Sequence, residues 1–159
     1  MFKGTYRHRI DAKGRLPVPA AFRRLLRPEG DGPPLVLTLL DDCLVVYPRA
    51  EWERLESQLQ RLPAFSKPVK ALSRILASHA IDCALDRQGR ILLPALLRKA
   101  VSLETEAVII GVLGRFEIWA PERWERFVRE SERVLEDVTL DIQWPLPQVT
   151  TTPAGEPAD

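Results

Sequence analysis

At 159 residues, 45% hydrophobic and 28% charged, the chain suits one small globular fold or two very small units sharing a core. No apolar run approaches the roughly 20 residues of a membrane helix, and Met1-Phe-Lys-Gly-Thr-Tyr6 has no apolar signal core, so neither spanning nor export is expected. The net charge of +1 hides an asymmetry: residues 1–27 carry eight basic side chains and one acid, a local +7 that leaves −6 for the remaining 132 residues.

Residues 5–10 read as a strand, with Tyr6, His8 and Ile10 on one face and Thr5, Arg7 and Arg9 on the other. Asp11-Ala-Lys-Gly-Arg15 follows as a turn, in which Gly14 supplies a positive φ and Asp11 can accept from nearby amides. A short strand leaves the turn, and Pro19 opens a short helix. The apolar runs 35–38 and 44–47 flank Asp41-Asp42 and read as a hairpin. Trp52, Leu55, Leu59 and Leu62 then form the stripe of an amphipathic helix. A linking helix over 68–79 carries Val69, Leu72, Ile75 and Leu76 on one side.

The same series then starts again. Asp86-Arg-Gln-Gly-Arg90 echoes the first turn 75 residues on, Pro94-Ala95 echoes Pro19-Ala20, and Arg98 echoes Arg23. Further along, the offset falls to 72, with the difference in the loop around Gly30-Asp-Gly-Pro-Pro34. Runs 107–110 and 116–119 form the second hairpin around Gly111 to Gly114, and Trp124, Phe127, Val128 and Leu135 the second stripe. The division expected is a first unit at 1–63, the linking helix at 64–79, a second unit at 80–138 and a Pro-rich tail at 139–159, disordered from residue 145. A unit of about 55 residues is too small to bury a strong core alone. The fold class expected is therefore α+β, mainly β, with both copies closing a pseudo-symmetric barrel and helices at its periphery.

The shared motif has a structural role first: Arg15 and Arg90 can each reach back to Asp11 and Asp86, clasping the turn. The strands ahead of it distinguish the copies. Arg7 and Arg9 become Asp82 and Ala84, and Lys13 becomes Gln88, while the apolar face is retained. Folding therefore does not demand Arg7, Arg9 or Lys13, which favours a nucleic-acid surface over a merely solvated face. Arginine can grip phosphate or bond guanine O6 and N7 bidentately. A two-stranded ribbon of residues 5–18, with Arg7, Arg9, Lys13 and Arg15, is narrow enough for the major groove. Lys3 adds to the same charge.

Nothing points to an enzyme, a cofactor or a metal. His8 sits at a packing position and His79 at a helix end, neither with a ligand at metal spacing. No nucleophile elbow, phosphate loop or dinucleotide fingerprint occurs. Adjacent arginines would keep Asp11 and Asp86 ionised. Cys43 and Cys83 read as buried thiols, with a disulfide between them as the alternative. Trp52, Trp119 and Trp124 occupy repeat-related positions that read as core.

Phe2-Lys-Gly-Thr-Tyr6, Asp11-Ala-Lys-Gly-Arg-Leu16, Pro19-Ala-x-Phe-Arg23 and Asp86-x-x-Gly-Arg90-Ile91 together resemble the MraZ family, over roughly residues 1–143. The resemblance implies two tandem AbrB-like (SpoVT-AbrB) domains forming a swapped-hairpin barrel within one chain. It implies closed rings in the cytoplasm, associated with the nucleoid, that bind double-stranded DNA at G-rich direct repeats. The site would lie upstream of the cell-division and cell-wall gene cluster, usually repressing it. DNA contact would fall chiefly on Arg15 and the basic residues beside it, with copy two departing from that pattern at Asp82, Ala84 and Gln88. The competing reading is a protein-interaction or antitoxin-like module acting through its C-terminal tail.

Overall fold

The computed structural model describes residues 1–26 and 34–136. The expectations for Arg27, for most of the Gly30-Asp-Gly-Pro-Pro34 loop and for the tail from 139 lie outside the described residues. In chain order the elements are β1 (Thr5–Arg9), β2 (Arg15–Pro17), α1 (Ala20–Arg23), β3 (Leu35–Leu40), β4 (Cys43–Pro48), α2 (Arg49–Arg61) and α3 (Lys67–Ser78). The series continues with β5 (Ile81–Cys83), β6 (Arg90–Leu92), α4 (Ala95–Ala100), β7 (Glu106–Val112), β8 (Arg115–Trp119) and α5 (Pro121–Glu136).

The fold is mixed α/β, built on an antiparallel six-stranded sheet in the order β1-β7-β8-β4-β3-β5, with β2 and β6 forming a separate two-stranded sheet. Exchanging each strand of one copy for its counterpart in the other reverses the order into itself. No closed barrel is present among the described residues: β1 and β5 are the two edges of an open sheet. Both copies leave these edges at their turns, and β2 and β6 pair with each other across the core, burying Leu16 and Ile91.

The ribbon expected from residues 5–18 is also corrected. β1 pairs with β7 and β2 with β6. Between the two arms the closing bond runs from Asp11 N–H to the Arg15 carbonyl at 3.0 Å. The reason is ladder length. β7 offers β1 five paired positions, from Thr5↔Ile110 to Arg9↔Glu106, whereas β2 is only three residues long.

The core has two parts. Between the two sheets, Phe2, Phe22 and Phe116 meet at centroid distances of 5.3–5.4 Å, surrounded by Leu16, Ile91, Leu44 and Ile109. On the other face, Val45, Tyr47, Trp52, Leu76, Val108 and Trp119 pack under the helices. The central strands β3, β4 and β7 are therefore covered on both sides, which explains their unbroken apolar runs. Thr38, buried on β3, donates to the Leu76 carbonyl at 2.7 Å and ties α3 to that strand. His79 caps that helix, its Nδ1 lying 2.9 Å from the Ile75 carbonyl oxygen.

Two further expectations change. Leu113, at φ +62°, carries the β7–β8 turn, while Gly111 lies where the Phe2–Lys3 backbone crosses so closely that any Cβ would collide. The second helix stripe is only partly covered. Trp124 and Phe127 pack on Trp119 at 5.6 and 5.1 Å, but Val134 and Leu135 in the distal half are each 62% exposed. The first-copy stripe buries Trp52 and packs Leu55 and Leu59, leaving Leu62 exposed.

Candidate nucleic-acid interface

The two Asp-x-x-Gly-Arg turns have one geometry. Asp11 Oδ1 accepts from the Lys13 and Arg15 amides at 3.0 and 2.9 Å, and Oδ2 accepts from Arg15 Nε at 2.6 Å. Asp86 Oδ1 accepts from the Gln88 and Arg90 amides, both at 2.9 Å, and Oδ2 from Arg90 Nε at 2.8 Å. Gly14 and Gly89 hold φ at +84° and +74°, which turns the chain back so that these donors converge. The Arg15 amide, then its guanidinium and the Lys13 amide, hold the Asp11 carboxyl below the usual range against some desolvation. Asp86 is lowered in the same way, led by the Arg90 amide.

A carboxylate whose folded-state pKa is depressed stabilises the fold above its ordinary value of 3.8 and loses that contribution as pH falls through the folded value. Thermal midpoints measured from pH 7 to 3 should therefore drop below about pH 4. In Asp11→Asn/Asp86→Asn that acid-side drop should shrink. An identical pH profile in the double variant would show that the turns do not depend on these charges.

The ribbon that carries the arginines outward takes one strand from each copy. In β2–β6, Leu16 faces Ile91 across the ladder and both point into the core. The flanking pairs, Arg15 with Leu92 and Pro17 with Arg90, therefore share the outward face. Arg90 Nη1 also lies 3.7 Å from Asp11 Oδ2, so one guanidinium touches both turns. Backbone bonds join them further: Leu93 N–H donates to the Gly14 carbonyl at 2.8 Å and Val18 N–H to the Gly89 carbonyl at 2.9 Å. Arg98 lies over Gly14, and Arg23 over Gly89. The repeat made these two arginines visible as a match, but nothing local in the sequence indicates that each crosses to the other copy's turn.

The remaining basic residues are spread along β1. Arg7 and Arg9 are exposed, with Tyr6 and His8 half-buried behind them, and Lys13 is exposed on the turn. Lys3 stands beyond the opposite end of the strand, beside Gly111. Sequence reasoning missed two carboxylates of copy two beside this strand. Glu125 on α5 lies 3.5 Å from Arg7 Nη2, and Glu106 on β7 stands opposite Arg9. The Arg7–Glu125 pair is exposed at both ends, so it holds Arg7 only weakly. In copy two, Asp82 pairs with Arg49 at 3.0 Å. Cys43 and Cys83 are free thiols; burial pushes both up, Cys83 to about 12.

A family model of the MraZ protein, described as antitoxin-like, matches this chain twice, at residues 1–75 and 76–141. The chain belongs to the MraZ family. It is 46% identical over 143 residues to the transcriptional regulator MraZ of Ligilactobacillus salivarius, covering 89% of this chain and 96% of that one. It is 47% identical to the protein of the same name from Pelotomaculum thermopropionicum and 43% to that from Natranaerobius thermophilus, again over 143 residues and 89% of this chain, and over 95% and 96% of those proteins. Each of the two MraZ matches holds one Asp-x-x-Gly-Arg turn, and the turns of this MraZ chain meet on one ribbon. No helix among the described residues is long and apolar enough to cross a membrane.

Proposed function

We propose that this MraZ chain is a DNA-binding transcriptional regulator that reads double-stranded DNA through the first-copy turn and the basic strand leading into it. One observation carries the reading: two copies keep one strand-and-turn geometry, yet only the first carries Arg7, Arg9 and Lys13 on it, where the second has Asp82, Ala84 and Gln88. A surface charge that the fold does not need is what a polyanion partner would select. In this reading Arg7, Arg9, Lys13 and Lys3 neutralise phosphates, and Arg15, at the ribbon tip, reaches a base edge. Asp11 and Asp86 clasp the turns rather than act as acids, because their donors favour the charged form. No catalytic role is proposed. The relatives' printed name, transcriptional regulator, supports the same class.

The finer reading follows from geometry and family. The two units, 1–63 and 80–138, act as swapped-hairpin AbrB-like domains joined by the segment 64–79, which carries α3. A single ribbon spans only a few base pairs, so specificity requires several chains on one DNA, each reading one repeated element. Direct repeats need head-to-tail subunits, and head-to-tail contacts that close give a ring. The target is then a set of G-rich direct repeats upstream of the cell-division and cell-wall genes, bound as a repressor at the nucleoid. Light scattering of the whole chain should return a closed oligomer larger than a dimer. Inserting about 5 bp between two repeats, half a helical turn, should lower affinity at least tenfold. A monomeric mass, or affinity indifferent to the insertion, would remove the ring and the shared DNA face respectively.

A further inference from the structure

We propose that Arg98, a residue of the second copy, holds a DNA backbone phosphate beside the first copy's turn at 11–15. The proposal rests on the DNA-binding reading above and adds a contact that neither the repeat comparison nor the charge asymmetry supplies. Arg98 stands on α4, half-buried, with Nε donating to the Leu93 carbonyl at 3.0 Å. That bond fixes the guanidinium plane against Gly14, where a Cβ would come within 3.1 Å of Nε and Cζ. Leu93 in turn donates its amide to the Gly14 carbonyl, so Arg98 and the turn are held as one piece. Among the described residues no acceptor takes up the two terminal nitrogens of Arg98. Arg98 lines an open depression shared with Arg9, Asp11, Ala12 and Glu104.

The charges around this depression favour an anion. Both Asp11 oxygens already accept from Arg15 and Lys13, and Arg90 stands 3.7 Å from one of them. Glu104 is then the other carboxylate on the wall, set against Arg9, Arg98 and the neighbouring Arg15 and Arg90. A guanidinium anchored at Nε keeps two parallel N–H groups forward, the fork that matches a phosphodiester. Its stem is already ordered, so little rotamer freedom is lost on binding. The counterpart, Arg23, lies against Gly89, but the strand entering that turn carries Asp82 and Ala84 where β1 carries Arg7 and Arg9. Copy two thus contributes to the interface through its helix although its own strand is acidic.

The test uses the whole chain, with fluorescence anisotropy on a labelled duplex of G-rich direct repeats and on a scrambled duplex of equal composition, from about 50 to 200 mM KCl. One phosphate contact adds about 0.9 to the slope of log affinity against log salt. Arg98→Gln, which removes the charge but keeps an amide donor for Leu93, should lose about 0.9 of slope per chain in contact and about tenfold in affinity near 0.1 M salt, on both duplexes alike. Arg98→Lys should keep the slope. A wild-type slope and affinity in Arg98→Gln overturns the proposal, as does an equal loss in Arg98→Lys with the slope unchanged, which would mark Arg98 as packing alone. If Arg98→Gln does not fold, phenylglyoxal modification of the unaltered chain, read by mass spectrometry, decides. DNA should protect Arg98, and equal modification with and without DNA overturns it. Absence of salt-dependent binding by the unaltered chain would instead sink the DNA-binding reading itself.

Discussion

Replacing Arg7, Arg9 and Lys13 together by alanine should weaken binding to a repeat-containing duplex by about 10²–10³-fold at 0.1 M salt. Three phosphate contacts at about 0.9 each remove roughly 2.7 from the salt slope, which is about 500-fold at that concentration. The fold should survive, because the second copy builds the same turn with Asp82, Ala84 and Gln88 in those places. The pair between Arg7 and Glu125 is exposed at both ends, and its loss costs well under 1 kcal/mol. The informative comparison is between affinity and melting temperature in the same preparation. Undiminished affinity in a folded triple variant would mean that the basic strand is only a solvated face.

Phe22→Ala should be the most damaging single core change, lowering stability by about 3–5 kcal/mol. Phe22 is 1% exposed and meets Phe2, Tyr6 and Phe116 at 5.2–5.3 Å. Removing its ring leaves a void bounded by both copies, since Phe116 belongs to the second, and a void enclosed by strands on both sides collapses poorly. For a fold of this size the melting temperature should drop by about 10–20 °C, still in one transition. The single transition matters as much as the size of the shift, because one cluster serves both copies. Two separable melting steps, seen by near- and far-ultraviolet dichroism, would show instead that each copy has a core of its own.

Much of the local structure was legible because its causes are local. Asp11 and Asp86, three residues before Gly14 and Gly89, announce the turns, and the apolar runs at 35–38 and 107–110 announce the hairpins. Pairing partners were not legible. Which strand completes β1 depends on the lengths of β2 and β7, elements about 100 residues apart, and the short-range reading favoured the wrong neighbour. The open sheet was missed for the same reason, since nothing in the residues of β1 and β5 says that they stay at the edges. At the site, Arg7, Arg9 and Lys13 stood out because the second copy lacks them. Glu125, Glu106 and Arg98 did not, because their relevance to β1 and its turn arises only through contacts between copies.

The exchange of partners between copies also sets a schedule for the nascent chain. β1 and β2 emerge early, but Thr5 pairs with Ile110 and Leu16 with Ile91, so their ladders are completed by residues translated about 75 to 105 positions later. At about 5–20 residues per second, the N-terminal arm waits roughly 4–20 s on the ribosome with its edges bare. In the meantime β3 and β4 can zip up, being joined through a tight turn at Asp41, and β5 can add to β3. On a crowded polysome, two neighbouring nascent chains would then each hold the half that the other lacks, and the linking helix α3 has to bring a chain's own second half home first.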